Sequence, residues 1–178
     1  MWNGEESMMP EANGLSAIPT KILVPVDFSP SSHAALETAA DLAQHFGAEI
    51  ILVHVVPMFP TTTIPDFFPE AKFLEEARKE ANRHFATCKA DLSAKGIKVS
   101  SSIETGDDVA GNILDVVERE HIDMVVVSTH GLTGWHPLVF GSIAEKVLKL
   151  VHCPVLLLRT PKPESSAKVK SERLMEWW

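Results

Sequence analysis

Short apolar runs alternate along the chain with stretches in which apolar residues recur at helical spacing. Five of these runs, rich in β-branched residues, predict strands at residues 21–27, 49–56, 98–104, 122–128 and 154–158. Most of them are almost continuously apolar, which is typical of strands buried on both faces of a parallel sheet. The run at 98–104 instead alternates apolar residues with serines, which predicts a strand with one less buried face.

The first predicted helix has clear signals at both ends. Ser29 is suited to the N-cap position, Pro30 to the first helical position and Gly47 to the position just past the end. Small and apolar residues recur between these signals at the spacing of one helix face. That face is expected to be buried and comprises Ala35, Leu36, Ala39, Ala40, Ala43 and Phe46.

Three further helices are predicted between the remaining strands. A long one covers about 70–94 and ends before Gly96, and the next follows the turn at 105–108. The last covers 143–151. Its first turn, 142–145, reads Ser-x-x-Glu, which is the sequence of a capping box.

Strands that alternate with helices predict βαβ units and a parallel sheet. Because crossovers between parallel strands are right-handed, the expected fold is α/β, an open doubly wound five-stranded parallel sheet in the order 3-2-1-4-5 with helices on both faces. Ligands bind to such sheets beyond the carboxyl ends of the strands, where the winding reverses. Here that point lies between strands one and four, so residues 25–27 and 128–131 should face each other across one crevice.

The segment after the fourth strand has the composition of a phosphate-binding loop. Gly131 and Gly134 allow backbone angles that a side chain forbids, and Gly141 and Ser142 lead into the last helix. Strand, glycine loop and helix N-terminus together gather unpaired N–H groups and the positive end of a helix dipole, where a phosphate fits. A tight turn without a ligand is the structural alternative.

Composition limits the domain organisation and the classes of partner. With 178 residues, 45% of them hydrophobic, the chain can bury the core of one domain. We expect this domain at 20–160, between a flexible N-terminal leader at 1–19 and a flexible C-terminal tail at 161–178. The net charge of −8 argues against a nucleic-acid partner. No apolar run approaches the roughly 20 residues that span a bilayer, so no membrane insertion is expected. Two cysteines, Cys88 and Cys153, fit a reducing cytosol, and we expect a cytoplasmic protein.

Four short motifs resemble a known family. Residues 24–29 read Val-Pro-Val-Asp-Phe-Ser, 52–55 read Leu-Val-His-Val, and 128–131 read Ser-Thr-His-Gly, followed after nine residues by Gly-Ser at 141–142. With these motifs the chain resembles the universal stress protein family, over residues 20–159 and in every element. Nucleotide-binding members carry Gly-x-x-Gly, nine residues and then Gly-Ser or Gly-Thr, and this chain departs from that pattern only where a serine, Ser128, replaces the first glycine.

The resemblance implies an adenine nucleotide alpha hydrolase-like fold, a regulatory role in the stress response, and ATP or AMP as the ligand, with Mg²⁺ as a companion ion. It implies that adenine and ribose are surrounded by Pro25, Val26, Asp27, Val55 and Val127. It implies further that backbone N–H groups or a hydroxyl of Gly131, Gly141, Ser142 and Ile143 meet the phosphates. Ser128 and His130 belong to the same nucleotide site. Many members are homodimers joined through the last strand, here Val155, Leu156, Leu157 and Leu158, which would cover a bare sheet edge.

Several of these residues have simpler alternative roles. Asp27 is also placed to cap the following helix, and Ser128 either narrows the site or supplies a hydroxyl to the ligand. His130 either acts on a phosphate as acid or base or only orders the loop. His84 and Cys88 are four residues apart on the long helix, but two ligands make no metal site, and none is expected.

Three functions are therefore open: a nucleotide-binding regulator, a slow ATPase, and a dimeric interaction module without a ligand. The sequence disfavours efficient hydrolysis, because it contains no Gly-x-x-x-x-Gly-Lys-[Ser/Thr] loop. No lysine stands beside Gly141 and Ser142 to meet a γ-phosphate, and Lys146 lies a turn further along the helix. The expectation is a binding protein with at most weak ATP hydrolysis.

Overall fold

The computed structural model describes residues 18–58, 70–129 and 141–159. Strands and helices alternate strictly through these ranges. In chain order they are β1 Lys21–Pro25, α1 Pro30–Phe46, β2 Glu49–Pro57, α2 Glu70–Ala94, β3 Val99–Gly106, α3 Val109–Arg119, β4 Met124–Ser128, α4 Ser142–Leu150 and β5 Val155–Leu158. Several sequence predictions lie outside the described residues, namely those on His130, Gly131 and Gly134 and on nearly all of the leader and tail.

The five strands form one parallel sheet in the order β3-β2-β1-β4-β5, as predicted. β1 is central: Ile22 pairs with Ile50 of β2 on one side and with Met124 of β4 on the other. Pro25 is the last residue of β1, where its missing N–H costs no ladder hydrogen bond in the middle of the sheet. The winding reverses between β1 and β4, so the predicted crevice lies at their carboxyl ends.

The two faces of the sheet are covered by different helix pairs. On the α1/α2 face, strand residues such as Ile22 and Leu52 form one core with helix residues such as Phe85. On the α3/α4 face, Leu23, Val53 and Val125 belong to a second core. Successive strand residues point to opposite faces, which is why neighbours such as Ile22 and Leu23 belong to different cores. The buried residues of both cores are almost free of solvent contact.

Helix ends largely follow the sequence signals, with two corrections. Ser29 caps α1 by accepting a hydrogen bond from the N–H of Ser32, and Gly47 ends that helix in the left-handed conformation with φ 71°. The prediction that Phe46 is buried is wrong, because its side chain is 39% exposed on the last turn of α1. The capping box at 142–145 is also wrong: Gly141 is the N-cap of α4, no side chain caps it, and Ser142 is already helical.

Strand lengths differ slightly from the predictions. β1 ends at Pro25 rather than at residue 27, because the chain turns away at Phe28, whose φ is 62°. β3 runs on to Gly106, since it pairs with β2 as far as Pro57, the last residue of that strand. Among the helices that the structure describes, none combines the length and the apolar character needed to cross a membrane.

Candidate functional site

A cavity of about 310 Å³ opens at the carboxyl edge of the sheet, on its α3/α4 face. It is bordered by the ends of β1, β2 and β4 and by the N-terminal parts of α3 and α4. The cavity thus occupies the reversal point of the sheet, and its volume lies in the range of small-molecule sites.

Nine residues predicted for the site line this one cavity. They come from four separate parts of the chain and are Pro25, Val26, Asp27, Val55, Val127, Ser128, Gly141, Ser142 and Ile143. The other two predicted residues, His130 and Gly131, lie outside the described residues. The sheet order brings the nine together, whereas their contact with a nucleotide stays a prediction.

One side of the cavity is apolar. Val53 and Val55 of β2, Val127 of β4 and Ile113 of α3 are buried and form this wall. Val53 and Val55 point the same way because strand side chains alternate with a period of two. An apolar surface of this kind suits a flat apolar group such as a purine ring.

Asp27 lies at the end of β1 and joins the cavity to the start of α1. Its Oδ1 accepts hydrogen bonds from the N–H of Ser29 at 3.1 Å and from the Ser29 hydroxyl at 2.5 Å. Ser29 in turn accepts from the N–H of Ser32 at 3.2 Å, so Asp27 supports the N-cap rather than being the cap itself. The same side chain lines the cavity, so its structural role and a ligand contact are compatible.

The opposite side of the cavity is formed by the N-terminus of α4. The N–H of Gly141 donates to the carbonyl oxygen of Thr129 at 2.8 Å, which closes the chain back onto the end of β4. A Cβ on residue 141 would lie 3.0 Å from that oxygen, so glycine is needed here for close approach and not for a positive φ. The Gly141 N–H is therefore already used, which corrects the expectation that it is offered to a phosphate.

Three backbone donors remain at this helix end. Within the described part of the chain, the N–H groups of Ser142, Ile143 and Ala144 have no hydrogen-bond acceptor, and the first ladder bond of α4 runs from Glu145 to Gly141. Unpaired N–H groups at the positive end of a helix dipole attract anions. An anionic group in the cavity would therefore be bound here, opposite the apolar wall.

Ser128, the departure from the family pattern, is the last residue of β4. It is 9% exposed and lines the cavity, and its backbone pairs with Leu158 of β5. The cavity is thus present with this serine in place.

Thr129 also lines the cavity, as expected from its place in the segment 128–131, but sequence reasoning missed seven of the lining residues, which are Ser32, Val53, His54, Pro57, Val109, Ile113 and Ala144. Two-residue alternation along β2 would have identified Val53, which lies on the same face as Val55. The α3 residues Val109 and Ile113 carry no local signal, because their place depends on how α3 packs on the sheet.

An ion pair joins the two helices at the edge of the site. Lys146 Nζ of α4 lies 2.6 Å from Asp108 Oδ2, and the two side chains are 47% and 52% exposed. Asp108 is also the N-cap of α3, since its Oδ1 accepts from the N–H of Gly111 at 3.0 Å. The hydrogen bond from Lys146, followed by the one from Gly111, holds the pKa of Asp108 below its ordinary value, so the carboxylate is charged at neutral pH.

The histidine and cysteine of α2 do not form a metal centre. His84 lies 3.1 Å from Glu80 and stacks on the ring of Phe28 at 4.5 Å. Burial raises the pKa of the Cys88 thiol, which disfavours the thiolate that a metal needs. Among the described residues, no group of three His, Cys, Asp or Glu side chains is arranged to hold a metal ion.

Comparison with known proteins agrees with this architecture. The model of the Universal stress protein family matches residues 19–159. Universal stress protein MJ0531 of Methanocaldococcus jannaschii is 31% identical over 144 residues, which cover 81% of this chain and 84% of that protein.

Two solved structures extend the comparison. The structure of MJ0577 from Methanocaldococcus jannaschii is 28% identical with a TM-score of 0.71, covering 80% of this chain and 96% of that one. A universal stress protein from Archaeoglobus fulgidus in complex with dAMP is 20% identical with a TM-score of 0.57, covering 78% of this chain and 96% of that one, and shows a common fold. From the family match, the described fold and these relatives, we conclude that the chain belongs to the universal stress protein family.

Proposed function

We propose that this chain binds an adenine nucleotide, ATP or AMP, and acts as a regulatory protein of the cytoplasmic stress response. The observation that carries the proposal is the cavity at the reversal point of the sheet. It has a buried apolar wall on one side and three backbone donors of α4 on the other, and it is lined by the residues that the family motif singles out. An adenine ring and a phosphate group need these two kinds of surface, a few ångströms apart.

The adenine would lie against Val55, Val127 and Ile113, with Asp27 near a ribose hydroxyl or the adenine amino group. The phosphates would then meet the N–H groups of Ser142 and Ile143. The dAMP complex supports the proposal only through the shared fold, because its identity to this chain is 20%. The weight therefore rests on the lining residues of this chain.

Binding rather than turnover is the better supported activity. Among the described residues that line the cavity, there is no lysine or arginine to neutralise charge on a transferred phosphoryl group. A bound nucleotide would act by favouring one conformation or assembly of the protein, in proportion to its difference in affinity for the two states. Mg²⁺ would accompany ATP through the phosphate oxygens themselves.

We also propose that two chains pair through β5. Within the described residues, β5 has a strand neighbour only on the β4 side, and the side chains of Val155–Leu158 are all half-buried in the single chain. An apolar edge strand of this kind is a template for pairing with a second chain. The oligomeric mass in solution, measured with and without a charged substitution at Leu157, tests this part.

The decisive experiment is to identify any nucleotide that co-purifies with the protein and then to titrate ATP, ADP and AMP by calorimetry while following phosphate release. Saturable binding with negligible phosphate release supports a nucleotide-binding regulator. Phosphate release that is lost in Asp27→Ala would favour an ATPase instead. A nucleotide-free protein that binds none of the three would overturn the proposal in favour of an interaction module without a ligand.

A further inference from the structure

The ion pair between Lys146 and Asp108 lies between the two helices, α3 and α4, whose N-terminal parts border the cavity. Asp108 directly precedes the lining residue Val109, and Lys146 is one turn after the lining residues Ser142 and Ile143. The pair therefore spans the same two helices as the candidate site, at its rim rather than in its floor.

The position of Lys146 on α4 directs its side chain toward the phosphate end of the site. In an α-helix, residues four apart lie on the same face, so Lys146 stands over Ser142, and long side chains lean toward the helix N-terminus. Its ammonium group reaches Asp108, which lies beside the N-terminus of α3. The charge is thus held between α3 and α4, at the rim of the cavity.

Each partner can leave the other without burying a charge. Both side chains are about half exposed, and exposed pairs of this kind are weak. Asp108 would keep its hydrogen bond from the N–H of Gly111, and a released Lys146 has four flexible carbon–carbon bonds with which to swing. A polyanion at the helix N-terminus would compete with the single carboxylate for this ammonium group.

We propose that Lys146 exchanges its contact with Asp108 for the outer phosphates of a bound nucleotide, so that it sets the preference of the site among AMP, ADP and ATP. The inference rests on the proposed nucleotide function and deepens it. In the AMP complex, the phosphate meets the α4 N–H groups and Lys146 stays on Asp108. In the ATP complex, the β- and γ-phosphates extend toward the rim and recruit Lys146.

The test uses two substitutions that should change the affinity for ATP in opposite directions. Lys146→Met removes the ammonium group but keeps a straight side chain, and should weaken ATP binding about fivefold to tenfold while changing AMP binding by less than about twofold. Asp108→Asn keeps the N-cap, because an asparagine oxygen can also accept from Gly111, but releases Lys146. It should therefore strengthen ATP binding by about twofold to fivefold, since the competing carboxylate has lost its charge.

Lys149→Met is the matched control. Lys149 lies one turn further along α4 and pairs with Glu145 at 2.6 Å, so the variant has the same net charge and the same helix but no ammonium group at the site. It should leave the affinity for all three nucleotides unchanged within about twofold. Titrations are run with and without Mg²⁺, because a bound divalent cation competes for the same phosphate oxygens.

The outcomes separate this inference from the proposal beneath it. Suppose that wild-type protein binds AMP and ATP, and that Lys146→Met weakens the binding of both equally or of neither. Lys146 then does not distinguish nucleotides by the length of their phosphate chain. In that case the inference is wrong, while nucleotide binding stands. If Lys149→Met lowers ATP affinity as much as Lys146→Met, the effect is one of net charge alone, which also overturns it. If no nucleotide binds to the wild type, both proposals fail together.

Discussion

The two faces of the sheet end differently at the same carboxyl edge. On the α1/α2 face, the ring of Phe28 stacks on that of His84 at a centroid distance of 4.5 Å and is tilted against that of His54 at 4.6 Å, and it meets Phe85 edge-on at 5.8 Å. On the α3/α4 face, the described residues around the cavity include valines, serines and glycine but no phenylalanine or tryptophan. At the carboxyl edge, the α1/α2 face is thus closed by aromatic rings, whereas the α3/α4 face is left open as a cavity.

The difference arises within single strands. Along β2, the ring of His54 meets that of Phe28 and also reaches the edge of the cavity, while its neighbours Val53 and Val55 belong to the core on the cavity side. In the turn after β1, Asp27 lines the cavity, and Phe28, held at a φ of 62°, joins the stack. A non-glycine residue in this conformation is strained, and such strain persists only where the surroundings determine it. The closed face therefore fixes the turn that aims Asp27 into the open one.

Enlarging one residue on each face of the sheet should have the largest effect on the difference between the open and the closed face. Val55→Phe places a ring in the cavity and should reduce nucleotide affinity by about 100-fold, equivalent to about 3 kcal/mol, with the free energy of unfolding changed by less than about 1 kcal/mol. Val24→Phe makes the same change in the fully packed α1/α2 core, where overpacking costs about 1–3 kcal/mol. Calorimetry and urea unfolding of both variants check this. Intact nucleotide binding in a folded Val55→Phe protein would contradict the site.

Removing the ring at the closed face should have the next largest effect. Phe28→Ala is expected to destabilise the fold by about 2–3 kcal/mol, less than for a fully buried phenylalanine because this one is only half-buried. Phe28→Gly should be more stable than Phe28→Ala by about 0.5–1 kcal/mol, since glycine adopts the positive φ without strain. Urea unfolding of the three proteins compares them. A glycine variant less stable than the alanine variant would show that backbone strain at Phe28 is unimportant.

A smaller change at the open face sharpens the role of the α4 N-terminus. Gly141→Ala places a methyl group 3.0 Å from the Thr129 carbonyl oxygen, so the helix end must shift by a few tenths of an ångström. We expect a loss of about tenfold in nucleotide affinity, or about 1.4 kcal/mol, with little loss of stability. Ser142→Ala, which keeps the backbone donor and removes only a hydroxyl, should lose less. Calorimetric titration measures both, and equal losses would place the important contact on the Ser142 hydroxyl.

The smallest expected effect concerns acid stability. The pKa of Glu104 lies below its ordinary value because the Ser102 hydroxyl donates a hydrogen bond to it, and Arg119 of α3 donates another at 2.6 Å. Because the folded-state pKa is the lower one, this network stabilises the protein above the ordinary carboxyl pKa of about 4.3, and the contribution is lost as pH falls through the folded value.

Glu104→Gln should therefore cost less than about 1 kcal/mol at neutral pH and flatten the decline in stability between about pH 5 and pH 3. Glu80→Gln is the control on the α1/α2 face. Arg83 lowers the pKa of Glu80 as well, but this side chain is 51% exposed against 22% for Glu104, so its removal should alter the acid profile less. Urea midpoints measured across that pH range compare the two. A steeper decline in Glu104→Gln than in the wild type would contradict the assignment.

The sequence by itself determined the order of the strands, the ends of most elements and the residues at the reversal point. Buried runs, the Ser29–Pro30 start and the Gly47 end are local signals, and the handedness of crossovers converts their alternation into one sheet topology. Local signals also singled out Asp27 and Ser142 as lining residues, because Asp27 ends the first predicted strand and Ser142 directly precedes the last predicted helix.

Only the tertiary structure decided which groups around the cavity are already engaged. Gly141 was expected to offer its N–H to a ligand, but close approach to Thr129 uses that donor. Lys146 meets Asp108 across 38 residues, and Val109 and Ile113 reach the site from a helix with no motif. Such contacts join elements distant in sequence, and their geometry depends on how helices pack on the sheet, which no local pattern of residues encodes.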